Sequence, residues 1–334
     1  METFELGNFQ TTTGFIIPNA RMAYETFGSL NADKDNAILF PNFLGGTPEA
    51  LAMWIGTDRP LDPRKYFIIL PGLFGAGFSS SPSNTAPPFD KGAFPPLDIA
   101  DDVIAQHRLV SDRLGIEELR LILGWSVGAI QAYEWAIRFP DMVKCLASIA
   151  GAPKPSDWTK LWLRTVFEEP ITSDPVWNEG FCAGPQVTHA PLRHAAHEMA
   201  MTLVPHRLYR EELWRSAGFA SVDDFIRRIF EGFTRLQDPC NLISQVRKTS
   251  TADPSAGGDL AAALSRITAE TFVFAFTGDP MFPPEECKMD ADRIPHAKFR
   301  EINSIGGHLA TFALFEQDRQ AVDDAIQEAL MSRH

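Results

Sequence analysis

The stretch Leu121-Ile122-Leu123-Gly124-Trp125-Ser126-Val127-Gly128-Ala129 sets a serine in Gly-x-Ser-x-Gly context between an apolar strand and a helical pattern. In that setting the chain turns so sharply that the serine is lifted clear of the sheet edge. Gly124 and Gly128 carry no β-carbon, so strand and helix can approach closely without clashing at the turn. The helical pattern runs on through Ile130, Tyr133, Glu134, Trp135 and Ile137 and meets no breaker before Phe139-Pro140. Ser126 is therefore read as a nucleophile on an elbow.

On either side of the elbow, apolar runs of strand length recur at residues 37–40, 66–70, 119–123, 145–149 and 271–276. Continuous apolar runs suit strands buried on both faces, as in a parallel sheet covered by helices. Helical patterns lie between them, for example over 98–114, where Ile99, Val103, Leu109, Val110 and Leu114 recur near helical spacing. The alternation predicts an α/β fold with a doubly wound sheet. Residues 4–24 read as an antiparallel strand pair leading into it.

With 334 residues, the chain can hold one large α/β domain and an inserted subdomain. Residues 155–263 are helix-rich and strand-poor and contain Trp158, Trp162, Trp177 and Trp214. They read as a helical lid inserted into a core made of 1–154 and 264–334, with 250–258 as the return linker. Most of these tryptophans suit the lid's own core, and some suit an acyl pocket or a dimer interface. A formal net charge of −13 argues against nucleic acid as a partner, because phosphate binding needs clustered Lys and Arg. It argues equally against an anionic membrane surface. The acidic start, Met1-Glu2-Thr3-Phe4-Glu5, lacks the pattern of a signal peptide, and no apolar stretch has bilayer-spanning length. Cys145, Cys182, Cys240 and Cys287 are far apart, which fits buried thiols in a reducing cytoplasm.

A serine hydroxyl needs a base, and the base needs an acid to hold its tautomer. In elbow-type sites the partners follow in the order Ser, Asp or Glu, His. Asp279, in Thr277-Gly278-Asp279-Pro280, comes directly after the run 271–276, and so would stand on the carboxyl-end rim of the sheet with Ser126. His308, in Gly306-Gly307-His308, follows the strand-like Phe299-Arg300-Glu301-Ile302 and precedes a helix-like Phe312-Ala313-Leu314-Phe315. A tetrahedral intermediate also needs N–H donors for its oxyanion. One is expected from Val127, the other from the loop Pro41-Asn42-Phe43-Leu44-Gly45-Gly46: the N–H of Leu44, with Phe43 as the alternative. His194 and His197 match neither zinc-protease pattern, and no metal is expected.

The chain resembles the homoserine O-acetyltransferase family of the α/β-hydrolase superfamily along nearly its whole length. The resemblance is carried by Ile17-Pro18-Asn19-Ala20-Arg21-Met22-Ala23-Tyr24-Glu25-Thr26-Phe27-Gly28, Phe43-Leu44-Gly45-Gly46 and residues 75–83. Phe94-Pro95-Pro96-Leu97-Asp98-Ile99, Leu114-Gly115-Ile116 and Gln131-Ala132-Tyr133-Glu134-Trp135-Ala136 add to it. So do Asp279 with Phe282-Pro283-Pro284, and Gly307-His308. It implies a Ser126, Asp279, His308 triad, ping-pong acyl chemistry and a homodimer joined through lid helices.

The departures concern substrate recognition. Where the family's elbow reads Gly-Gly-Ser-Met-Gly-Gly, Trp125 here puts a large ring beside the nucleophile, and with Phe43 it is expected to shape the pocket. The family's Gly-His-Asp-Ala-Phe becomes Gly307-His308-Leu309-Ala310-Thr311-Phe312. The resemblance makes that aspartate the partner of the homoserine ammonium. Leu309 cannot offset a charge, and burying one unpaired costs several kcal/mol. For the family's carboxylate-binding Tyr-Arg pair, the nearest candidate is Tyr209-Arg210. The expected activity is hydrolysis of a small or medium acyl ester, an acetate ester first, by a cofactor-free serine esterase. The runner-up is an acyltransferase using acetyl-CoA as co-substrate and a less polar acceptor. A non-catalytic binding protein is disfavoured by the intact triad.

Overall fold

In the computed structural model, which describes residues 1–181 and 189–331, the strands form one sheet. They are β1 (Glu2–Gln10), β2 (Ile16–Phe27), β3 (Ala37–Leu39), β4 (Phe67–Pro71), β5 (Leu121–Trp125), β6 (Cys145–Ile149), β7 (Glu270–Phe276) and β8 (Lys298–Ile302). Their order is β1-β2-β4-β3-β5-β6-β7-β8. From β3 to β8 every pairing is parallel, while β2 runs antiparallel to both β1 and β4. Each of the five apolar runs supplies one of these strands, and residues 4–24 form the antiparallel pair. All five residues of β5 and of β6 are buried, as continuous apolar runs require in a sheet covered on both faces.

Helix α1 (Ile99–Arg108) starts at a capping box: the Asp98 carboxylate accepts from Ala100 N–H, and that of Asp101 accepts from Asp98 N–H. It passes into a π-helical turn, Leu109–Arg113, so the predicted helix over 98–114 is present with a widened end. Helix α2 (Val127–Arg138) leaves the elbow and is buried along nearly its whole length. Among the described residues, no helix is long and apolar enough to cross a membrane.

Between β6 and β7 the described residues form helices and turns, among them α3 (Asp157–Leu163), α4 (His189–Thr202) and α5 (Pro239–Thr251). Trp162, Trp177 and Trp214 are buried in one apolar cluster with Phe167, Phe225 and Phe230. Trp158 is half-exposed and donates to Pro280 O at 3.0 Å. The cluster also takes in Val273, Phe282 and Leu309 from the sheet side, so the insertion shares its core with the rim it covers.

A buried ion pair ties the insertion to the core. Lys248 on α5 is 1% exposed and Asp102 on α1 is 0% exposed. Lys248 Nζ donates to Asp102 Oδ2 at 2.5 Å and to Phe74 O at 2.6 Å, while Asp102 Oδ1 accepts from Phe74 N–H at 2.8 Å. Removing one partner of such a pair leaves a charge in a dry interior, which costs about 3–5 kcal/mol. Asp102→Asn is expected to lose stability on that order in urea unfolding. The double change Asp102→Leu with Lys248→Met is expected to recover only part of it, because the Phe74 N–H and carbonyl then lose their partners.

Candidate active site

Ser126 directly follows β5, with φ 51° and ψ −125°. This is a backbone conformation that residues with a side chain adopt only when their surroundings hold them there. The Ser126 N–H reaches Ala150 O at 3.1 Å and Ile149 O at 3.3 Å, anchoring the turn to the neighbouring strand. A β-carbon on Gly124 would lie 2.2 Å from Gly128 O, and one on Gly128 would lie 2.6 Å from Pro41 O. Both glycines are thus required by backbone packed against backbone.

Asp279 stands just beyond β7. Its Oδ1 accepts from the N–H groups of Met281 and Phe282, at 2.8 and 3.2 Å, which leaves Oδ2 to face His308 Nδ1 at 2.9 Å. A carboxylate only accepts, so Nδ1 carries the hydrogen, and in the neutral imidazole Nε2 then has the lone pair. Nε2 lies 3.2 Å from Ser126 Oγ. The imidazole stacks on Phe282, with ring centroids 5.6 Å apart.

The loop that carries His308 is gripped from two sides. Asp318, on helix α7 near the end of the chain (Glu316–Leu330, with α6 being Pro284–Ala291), accepts from Ile305 N–H and Gly306 N–H, each at 2.8 Å. From the insertion, Leu203 O accepts the His308 N–H at 3.2 Å. The expected helix at 312–315 is absent: a 3₁₀ helix, Gly307–Phe312, ends there at Ala313 with φ 53°, and α7 begins only at Glu316. Side chains take carbonyls that a regular helix would use: Thr311 Oγ1 donates to His308 O, and Trp54 Nε1 donates to Thr311 O.

Residues 43–46 form a turn in which Gly46 N–H reaches Phe43 O at 2.9 Å and Gly45 takes φ 69°. A positive φ at the third turn position calls for glycine. Phe43 N–H is committed to Asn42 Oδ1 at 2.9 Å, and Gly45 N–H to Gln245 Oε1 at 2.9 Å. Among the described residues, the N–H groups of Leu44 and Val127 have no hydrogen-bond acceptor. Of the two loop candidates, Leu44 is the one left with a free donor.

These groups surround a cavity of about 350 Å³. Phe43, Leu44, Trp125, Ser126, Val127, His308 and Leu309 all line it, and Asp279 sits behind His308. Trp125 is 2% exposed and packs edge-on to Phe40 and Trp54, with centroids 4.7 and 5.7 Å away. The insertion contributes Trp162, Met199, Leu203, Phe230 and Phe233. It also contributes Arg228, the one Lys or Arg among the lining residues, which also hold no Asp or Glu. Arg228 sits on a π-helical turn, Arg227–Glu231, and local sequence carries no signal for which side chains such a turn aims inward.

Other candidates lie elsewhere. Tyr209 gives its hydroxyl to Ala200 O, Arg210 pairs with Glu211, and neither lines the cavity, so the geometry does not support them as a carboxylate-binding pair. His194 pairs with Glu198 and His197 with Glu231. Cys287 is buried and its thiol is pushed well above the ordinary range, chiefly by burial and then by the Asp279 charge, which suits packing rather than attack. Cys182 falls outside the described residues.

The family model for the alpha/beta hydrolase fold matches residues 42–312. The chain belongs to the α/β-hydrolase family. The hydrolase is 38% identical to an ethyl acetate hydrolase of Pseudomonas veronii, over 99% of this chain and 95% of that protein. The solved acetylester hydrolase from Corynebacterium glutamicum superposes with a TM-score of 0.96 at 37% identity, covering 99% of this chain and 96% of that one. A homoserine O-acetyltransferase of Trichormus variabilis is 30% identical over 90% of this chain and 86% of that protein. The hydrolase is thus an esterase-like member of the group resembled by its sequence.

Asp279→Asn keeps the shape of the relay but allows the wrong imidazole tautomer. It is expected to lower kcat on the order of 10,000-fold while the melting transition stays cooperative. Steady-state kinetics beside calorimetry would check this.

Proposed function

We propose that this hydrolase cleaves small acyl esters, acetate esters first, through an acyl intermediate on Ser126. The observation that carries the reading is the hydrogen-bonded line Asp279–His308–Ser126, opening into a small cavity almost without charge. His308 Nε2 takes the Ser126 proton as Oγ attacks the ester carbonyl, and the oxyanion that forms is held by Leu44 N–H and Val127 N–H. His308 then gives its proton to the leaving alcohol. Water, deprotonated by the same nitrogen, attacks the acyl-Ser126 and releases the acid and the free serine. Nucleophile, base and oxyanion donors all come from the chain, so the reaction needs no metal or cofactor.

Water is favoured over an amino-acid acceptor as second substrate for a physical reason. A zwitterionic acceptor needs a partner for its ammonium, and the lining holds no carboxylate, with Leu309 buried beside His308. Arg228, the one lining cation, already faces Asp224 at 3.7 Å and is largely exposed, so it offers a carboxylate little. Acetyl-CoA would enter only as co-substrate of such a transfer. We also read the enzyme as a homodimer, supported by the exposed Leu161, Met201 and Leu236 of the insertion, and expect it in the cytoplasm. A monomer in sedimentation at micromolar concentration would remove the dimer from this reading.

Ethyl acetate and p-nitrophenyl acetate are expected to give free acetate at the same rate with or without homoserine. Acetyl-homoserine exceeding acetate, from either an ester or acetyl-CoA, would make the enzyme a transferase. Ser126→Ala is expected to abolish turnover. Leu309→Asp is expected to raise the ratio of transfer to hydrolysis with homoserine as acceptor, measured by product analysis.

A further inference from the structure

The two proposed oxyanion donors belong to different parts of the chain: Val127 opens α2, and Leu44 lies on the loop after β3. Their spacing decides whether both can reach one oxygen, because donors act on the oxyanion only at hydrogen-bond distance. One side chain touches the backbone of both parts. Gln131 Nε2 donates to Asn42 O at 2.8 Å and to Val127 O at 3.3 Å.

The orientation of that amide is dictated from behind. Gln131 Oε1 accepts from Gln106 Nε2 at 2.7 Å, and Gln106 Oε1 accepts from Trp135 Nε1 at 2.8 Å. An indole N–H can only donate. Gln106 must therefore turn its oxygen to Trp135 and its NH₂ to Gln131, and Gln131 must turn its NH₂ to Asn42. Gln106, Gln131 and Trp135 are each 0% exposed, so no solvent competes for these groups. On the far side of the loop, the insertion holds the next peptide: Gln245 Oε1 accepts from Gly45 N–H at 2.9 Å, and Gln237 Nε2 donates to Gly45 O at 3.1 Å.

We propose that Gln131, oriented through Gln106 by the Trp135 indole, is a positioning residue that sets the Leu44 N–H against the Val127 N–H for the oxyanion. This rests on the esterase reading above. Gln131 touches no substrate: it is not among the cavity-lining residues. Its effect runs through the Asn42 peptide, and misplacing a catalytic group by about 1 Å costs on the order of 100-fold in rate.

The test compares wild type with Gln131→Met, which keeps the volume and loses the donor, and Trp135→Phe, which keeps a ring and loses the orienting N–H. Three readouts are taken: kcat and KM for p-nitrophenyl acetate, the Ki of a boronic acid that forms a tetrahedral adduct on serine, and the melting temperature. Gln131→Met is expected to lower kcat about 10- to 100-fold with KM within about twofold, and to weaken the boronic acid by a matching factor. Trp135→Phe is expected to shift both in the same direction by a smaller factor. If Gln131→Met does not fold, the Trp135→Phe comparison decides alone. Wild-type kcat and boronic-acid affinity in a folded variant, or a loss confined to KM or melting temperature, would overturn the positioning role. A wild-type enzyme that neither turns over esters nor reacts with a fluorophosphonate at Ser126 would instead overturn the esterase reading.

Discussion

Backbone packed against backbone at the elbow is the constraint on which the site depends. Ser126 is held in a conformation unusual for a residue with a side chain, and it stays there because Gly124 meets Gly128 and Gly128 meets the carbonyl of Pro41. The contact does two things at once. It lifts the serine off the end of β5, and it pulls the loop after β3 against the first turn of α2. A β-carbon at Gly124 would push α2 off β5 and one at Gly128 would push away the loop after β3, which is why the motif has glycine at both positions.

The acid and the base arrive on loops, and loops need outside support to hold catalytic geometry. For Asp279, the support is local, from the two N–H groups that follow it. For His308 it is remote, coming from Asp318 on α7 and from the Leu203 carbonyl of the insertion. The insertion is therefore part of the site as well as its cover. It walls the cavity with apolar side chains, holds the histidine loop, grips the Gly45 peptide through two glutamines, and is moored to the core by the Lys248–Asp102 pair.

An apolar cavity next to a charged relay has a chemical consequence. With Leu309 where an acid would be needed, an ammonium entering the site would lose its hydration and gain no partner, whereas a neutral ester loses little. The relatives include both ester hydrolases and a homoserine O-acetyltransferase. Arg228 reaches the wall from a π-helical turn of the insertion, but its side chain is largely exposed, lies over the Phe219 ring and faces Asp224 at 3.7 Å.

The strands, the elbow and the chain order of Ser126, Asp279 and His308 were legible in sequence because each depends on local chemistry: unbroken apolar runs, glycines at a forced turn, and polar residues directly after strands. The final turn was misjudged for the opposite reason. Residues 312–315 have helical composition, but Trp54 and Thr311 capture the nearby carbonyls, and Trp54 comes from far away in the chain. That the Leu44 N–H and not the Phe43 N–H is left without an acceptor likewise turned on where Asn42 directs its side chain. Arg228 had no sequence signal, and Gln131 and Trp135 stood out only within the resembling motif, with nothing to show that Gln106 joins them behind the loop after β3. By itself, the sequence determined the architecture and which serine, aspartate and histidine meet at the sheet rim, because period, breakers and motif spacing act over a few residues. Only the tertiary structure decided which donors remain free, which side chains wall the cavity and what holds the loops in place, because those contacts join residues that the chain keeps far apart.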